Sequence, residues 1–112
     1  MVNRQRGEIS ATLEGRQWTL CLTLSAFACL ETHFNVSDLP ELAERLATGK
    51  FSSHDLVAIL HAGLRGGGHD IDQDEVARMR CDKGSAGYAE IVAELLIASF
   101  GSADSASTEK VA

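Results

Sequence analysis

Apolar and polar residues alternate along the first part of the chain, on both sides of Gly15. Before this glycine, Ile9, Ala11 and Leu13 alternate with polar residues. After it, the apolar positions of the alternation are Trp18, Leu20, Leu22 and Leu24. Alternation with a period of two is typical of strands that bury one face. The pattern therefore predicts a β-hairpin from Gly7 to Leu24.

The position of the hairpin loop stays open at this point. With Gly15-Arg16 as a two-residue loop, Leu13 lies opposite Trp18, and with Glu14-Gly15 as the loop each pair shifts by two residues. Both registers keep the apolar side chains on one face, whereas a slip of one residue would move them to the other. Because a two-stranded hairpin is marginal by itself in water, the rest of the chain must cover its apolar face.

Beyond the hairpin the apolar spacing changes to three and four residues, which predicts helices. The predicted helices begin at Ser25, at Asp38 with Glu41 as its capping-box partner, at Ser52 or Ser53, at Asp72 with Glu75 (ending at about Arg80), and at Ser85 (ending at Phe100). The third is apolar over the widest arc, so we expect it to pack across the hairpin. The predicted fold class is α+β, an N-terminal two-stranded antiparallel hairpin covered by about four to five helices.

Length and charge limit the classes of protein that the chain can belong to. Its 112 residues predict one domain over residues 1–101, followed by a disordered tail at 102–112. A net charge of −6 argues against nucleic acid as a partner. Three cysteines without CxxC spacing, and no signal peptide or membrane-length apolar run, predict a cytoplasmic protein with no membrane contact.

Few residue patterns suggest chemistry, and each has a simpler interpretation. The glycines Gly66-Gly67-Gly68 follow a helix rather than precede one, so a helix stop explains them better than a phosphate cradle. The acidic residues after them depart from a calcium loop at two key positions. Cys29 and His33 lie one helical turn apart without an evident third group. We therefore expect no enzyme activity, cofactor or bound metal, with a metal-dependent enzyme using His69 and the acidic loop as the remote alternative.

Two features favour binding to another protein instead. A hairpin has two strand edges, and an uncovered edge can accept a strand from a partner. The last helix is apolar on both sides, and this leaves a candidate contact patch. The predicted partner-binding residues are Trp18, Leu20, Leu22, Ile97 and Phe100.

The order of these elements resembles the small tail proteins of gene transfer agents and related phages, a family classed among phage tail assembly chaperones. The resemblance is carried by residues 3–8, the turn at Gly15, and the segments 25–31 and 60–69. It departs at Gly67, where the resemblance predicts a small residue such as alanine. These motifs are structural, and they cover nearly the whole chain up to Phe100.

The resemblance implies a non-enzymatic assembly chaperone in the bacterial host, which binds the tail tape-measure protein, the tail-tube protein, or both during tail morphogenesis. The alternative that it leaves open is a structural tail-tube or connector component of the particle. Association with further copies of the chain is compatible with either role. A small acidic domain with an apolar groove is suited to covering the apolar helices of a tape-measure protein.

Overall fold

A computed structural model describes residues 7–101, in which two strands precede five helices. The elements are β1 (Ile9–Leu13), β2 (Arg16–Leu20), α1 (Leu24–Phe34), α2 (Leu39–Ala47), α3 (Ser53–Gly66), α4 (Gln73–Arg78) and α5 (Ser85–Phe100). The strands form an antiparallel hairpin, and the helices pack around it. The predicted α+β class is confirmed. The predicted disordered tail at 102–112 lies outside the described residues.

The hairpin turns at Glu14 and Gly15, so Ala11 lies opposite Trp18. Both loop residues have positive φ angles, 56° and 72°, as the tight turns favoured between twisted strands require. The alternative with Gly15-Arg16 as the loop is wrong. The indole Nε1–H of Trp18 donates to the Leu13 carbonyl oxygen at 3.1 Å, and this bond ties the two strands together close to the turn.

The second strand ends four residues earlier than the alternation predicts, at Leu20 instead of Leu24. The Thr23 hydroxyl accepts from the backbone N–H of Ala26 at 3.2 Å and caps α1, so the prediction of Ser25 as the cap is wrong. Leu24 becomes the first residue of α1 and is 79% exposed rather than part of the buried face. A capping hydroxyl therefore ended the strand pattern before the last leucine of the alternation.

The core lies between the hairpin and the helices, all five of which contribute buried residues, and α3 supplies its centre. Ile9, Leu13 and Leu20 are fully buried on the inner face of the hairpin, as predicted. The buried residues of α3 are Ala58, Ile59, Leu60, Ala62, Gly63 and Leu64. Six of seven consecutive residues are buried because neighbours surround this helix, and its wide apolar arc indicated this central position.

The C-terminal end of α3 passes very close to β2. The backbone N–H of Cys21, just after the strand, donates to the Gly63 carbonyl oxygen at 2.9 Å. A Cβ atom at Gly66 would overlap the Cys21 carbonyl, and one at Gly67 would overlap the Thr19 carbonyl. The alanine that the resemblance predicts at position 67 would therefore hold this end of α3 farther from β2.

The edge of β1 is contacted at one end by the segment after α4. The backbone N–H of Glu14 donates to the Arg80 carbonyl oxygen at 2.9 Å, and the Arg80 N–H donates to the Glu14 carboxylate at 2.6 Å. Arg80 is free to make this pair because α4 ends at Arg78, two residues before the predicted end. The hairpin turn is thus anchored to a distant part of the chain.

The predicted N-caps of α2 and α4 are present, but among the described residues Glu41 and Glu75 do not return the capping-box bond to the N–H of the cap residue. The Asp38 carboxylate accepts from the Glu41 N–H, and the Asp72 carboxylate accepts from the Glu75 N–H, each at 2.9 Å. The Glu41 side chain accepts from the N–H of Ser37, one residue before the cap. Within residues 7–101, no helix has both the length and the apolar character needed to span a membrane.

Candidate protein-binding site

An apolar groove of about 530 Å³ runs between α2 and α5. Its lining consists of Ala43, Leu46, Ala47, Leu96, Ile97, Phe100 and Gly101. Every side chain in this set is apolar, and Ile97 is 50% exposed although it is a large aliphatic residue. Apolar surface that stays open to solvent in this way is typical of a site where another protein docks.

Helical spacing explains how the sequence forms this groove. On α2, Ala43, Leu46 and Ala47 lie three and four residues apart and therefore share one face. On α5, Ile97 and Phe100 share a face in the same way. The small alanine side chains on α2 leave the space that larger residues would fill, and the buried Leu46 closes the bottom of the groove.

One end of the groove is fixed by aromatic packing. The ring of Phe100 lies against the ring of Phe27 on α1, with centroids 5.4 Å apart and planes inclined at 43°. Tilted pairs at this separation are favourable for aromatic rings. Phe100 therefore holds the last turn of α5 against α1, and its half-buried ring still lines the groove.

The five predicted partner-binding residues do not form one surface. Ile97 and Phe100 lie together in the groove, whereas Leu20 is fully buried and Leu22 is only 7% exposed. A partner cannot contact these two leucines without opening the core. Alternation alone does not distinguish a strand face that contacts a partner from one that contacts the chain's own helices.

Trp18 lies apart from the groove, in a small polar cluster. The Arg16 guanidinium stands 4.0 Å from the centroid of the indole ring, and the His69 ring meets the indole edge-on at 4.9 Å. Both contacts are typical of packed aromatic side chains. Among the described residues the Nε2 atom of His69 is buried without a hydrogen-bond partner, and no group of three His, Cys, Asp or Glu residues is arranged to hold a metal ion.

The structure brings His33 to an acidic partner that sequence spacing did not indicate. The His33 ring nitrogen Nε2 lies 2.9 Å from a carboxylate oxygen of Asp55, and Arg45 approaches the same carboxylate at 3.6 Å. Asp55 lies in the first turn of α3, where it completes a capping box with Ser52. Its second role depends on the packing of α1 against α3, which periodicity does not reveal.

The electrostatic environment of Asp55 favours its ionised form. Burial by itself raises the pKa of this carboxyl. The backbone N–H and hydroxyl of Ser52 and the His33 ring outweigh burial, so the net pKa lies below the usual 3.8. Cys29 and His33 both line a second cleft of about 450 Å³ between α1 and α3, but among the described hydrogen bonds none joins the Cys29 thiol to His33. The arrangement stabilises the contact between α1 and α3.

Comparison with known proteins identifies the family. The family model described as "Phage tail tube protein, GTA-gp10" matches residues 6–102, which is nearly all of the chain. Neither the curated proteins nor the solved structures give a match. The resemblance to gene transfer agent tail proteins is thereby confirmed, while the more specific role of assembly chaperone stays a prediction. This chain belongs to the GTA-gp10 family of phage tail tube proteins.

Proposed function

We propose that the protein is a structural subunit of a phage-like tail tube, which acts by binding other tail proteins and not by catalysis. The observation that carries this proposal is the family match over residues 6–102, because its description names the tail tube. It favours the structural alternative of the sequence analysis over the chaperone role. The protein would be made in the bacterial cytoplasm and then become part of the particle.

The groove between α2 and α5 supports a binding role. Its volume of about 530 Å³ is sufficient for several side chains of a partner. An amphipathic helix that lays its apolar face into a groove is a common mode of protein recognition. Among the described residues, the one close histidine–carboxylate pair is His33 with Asp55. This pair joins α1 to α3, so its role is structural.

The direct test is the composition of purified particles. Quantitative mass spectrometry of tails from the producing bacterium should find this chain in fixed proportion to the other tail proteins. A strain that carries Ile97→Glu should assemble fewer complete tails, because a carboxylate in the groove opposes apolar docking. Leu24→Glu is the matched control, since Leu24 is a more exposed aliphatic residue outside the groove. Absence of the chain from mature particles would exclude the structural role.

The exposed groove also favours a second candidate, an assembly chaperone for the tape-measure or tail-tube protein. An acidic chain with a net charge of −6 and an open apolar groove can cover apolar helices and remain soluble. Co-expression with the tape-measure protein should then increase its solubility and yield a complex. The chain would also be required for assembly and missing from finished particles. Ile97→Glu should abolish the complex, and Leu24→Glu should leave it intact.

A further inference from the structure

The outer edge of β1 presents backbone groups that no element outside the hairpin uses within residues 7–101. Successive residues of a strand direct their N–H and C=O groups to opposite sides. Glu14 directs its N–H away from β2, to Arg80. Thr12 and Ser10 are two and four residues earlier, so their groups also point outward. Within residues 7–101, their backbone atoms make no hydrogen bond to any element outside the hairpin.

A shallow groove of about 240 Å³ follows this edge. It is lined by Ser10, Ala11, Thr12, Cys81, Asp82, Lys83, Gly87, Glu90, Ile91 and Glu94. The Tyr88 hydroxyl on α5 donates to the Met79 carbonyl oxygen and fixes the loop that forms one wall. The groove is therefore bounded by the strand edge, this loop and α5. Such a site suits an extended segment that adds to the sheet as a strand.

The charge of the groove specifies the kind of segment. Three of its side chains are acidic (Asp82, Glu90 and Glu94), and one, Lys83, is basic. Lys83 lies 3.3 Å from Glu90 at the surface, where an ion pair contributes little. The groove therefore remains acidic after this pairing. A strand with basic side chains complements it.

We propose that residues 1–6 of a second copy of this chain add to the edge of β1, with Arg4 and Arg6 facing Glu90 and Glu94. This proposal rests on the tail-tube function above, which requires contacts between copies. The spacing of the two arginines matches that of the two glutamates. Arg4 and Arg6 are two residues apart in a strand, which spans about 6.6 Å. Glu90 and Glu94 are four residues apart on a helix, which rises about 6 Å.

The geometry of the contact agrees with a tube. The acidic groove and the basic segment are different surfaces of the chain, so each copy offers one surface to each of two neighbours. Contacts of this head-to-tail kind propagate and close into rings or continue as filaments. A contact that pairs identical surfaces would stop at a dimer.

Charge exchange in the full-length protein tests the proposal. The association constant is measured by analytical ultracentrifugation over a concentration series. The Arg4→Glu/Arg6→Glu variant and the Glu90→Lys/Glu94→Lys variant should each associate at least tenfold more weakly than the natural chain. The variant with all four changes keeps the natural net charge of −6 and should regain association. Glu31→Lys/Glu44→Lys matches the charge change of the groove variant away from the edge and should have no comparable effect.

Backbone addition is tested separately with Thr12→Pro. Proline removes the outward N–H at position 12, so association should fall at least tenfold while circular dichroism shows a folded protein. A monomeric natural chain, or association unchanged in both charge-reversed variants, would overturn the proposal. A concentration-independent effect of Arg4→Glu/Arg6→Glu on stability would also overturn it, because the segment would then bind its own chain.

The outcome is distinguishable from that of the proposed function. If the chain is present in particles but the charge exchange does not affect association, the tube role stands and this contact is wrong. If association follows the charge exchange but the chain is missing from particles, the contact stands and the tube role is wrong.

Discussion

The two edges of the hairpin differ in how closely other elements pack against them. Along β2, α3 approaches so closely that Gly66 and Gly67 have no room for a side chain, and Cys21 donates to the Gly63 carbonyl. Along β1, the backbone hydrogen bonds that Ser10, Thr12 and Glu14 make to other parts of residues 7–101 are confined to the pair between Glu14 and Arg80 at the turn. One edge is closed by the molecule's own helix, and no other part of residues 7–101 forms a backbone ladder along the second edge.

This difference shows how a very small sheet can be stable and still accept a partner. Closing both edges would complete the fold, and leaving both open would expose backbone groups that promote nonspecific pairing. Here α3 closes one edge and buries the hairpin's apolar face, while acidic side chains surround the other edge. The charge restricts which strands can add there.

The largest effect on stability is expected from Gly66→Ala, which places a methyl group between α3 and the edge of β2. The new Cβ would overlap the Cys21 carbonyl, so α3 must move away from β2 and the free energy of unfolding should fall by about 3 kcal/mol. Urea titration measures this change. Gly68→Ala is the control, because the space around Gly68 is open although its φ is +98°. It should cost about 1 kcal/mol. Equal losses in the free energy of unfolding for Gly66→Ala and Gly68→Ala would mean that the close packing of α3 against β2 does not stabilise the fold.

An intermediate, pH-dependent effect is expected from Asp55→Asn, which weakens the start of α3 and its contact with α1. The lowered pKa of Asp55 means that its contribution is present above the ordinary value of 3.8 and is lost as the pH falls through its folded-state pKa. At neutral pH the substitution should cost about 1–2 kcal/mol.

The measurement compares urea unfolding of the two proteins at neutral pH and below pH 3.8. The difference should shrink in acid. Asp74→Asn is the control, because this exposed side chain in the first turn of α4 has no hydrogen bond among those described. A difference for Asp55→Asn that stays constant across this range would show that the carboxylate charge does not stabilise the contact.

A smaller effect is expected from Glu14→Ala, which removes part of the contact between the hairpin turn and Arg80. The substitution removes the carboxylate that accepts from the Arg80 N–H, so the loss of stability should be about 1 kcal/mol. Glu14→Gln keeps an oxygen acceptor and should lose less. Amide hydrogen exchange at Arg80 should accelerate in the alanine variant. Unchanged exchange at Arg80 would contradict the anchoring of the turn.

The smallest effect on stability is expected from Thr12→Pro, because the N–H at position 12 points away from β2. The cost should remain below about 0.5 kcal/mol by thermal unfolding, as for a surface change. Ala11→Pro is the contrasting variant. The Ala11 N–H has the opposite phase and points toward β2, so proline there should cost about 3 kcal/mol. A large loss with Thr12→Pro would show that the edge of β1 is already in use.

The apolar spacing and the capping residues predicted the hairpin, the five helices and most of the helix starts from the sequence. These features depend on residues that are neighbours along the chain. The caps at Asp38 and Asp72 are of this kind. The loop register was not determined, since both candidates buried the same face. The positive φ at Glu14 decided it, and glutamate does not indicate such a conformation in the way that asparagine does.

The candidate site was predicted only in part, and the reason is tertiary packing. Ile97 and Phe100 were recognised because α5 is apolar on more sides than one core can cover. The α2 half of the groove was not, because Ala43 and Ala47 appear in the sequence as ordinary core positions. Leu20 and Leu22 were included as partner-binding residues although α3 and its neighbours bury them.

The close passage of α3 over β2 also determines how the molecule can fold. The two contacting regions, at Cys21 and Gly66, are separated by more than forty residues, and the hairpin by itself is only marginally stable. The hairpin therefore gains lasting order only when α3 reaches it. The N-terminal third and the middle of the chain form a single cooperative unit, so a fragment that stops before α3 cannot retain the sheet.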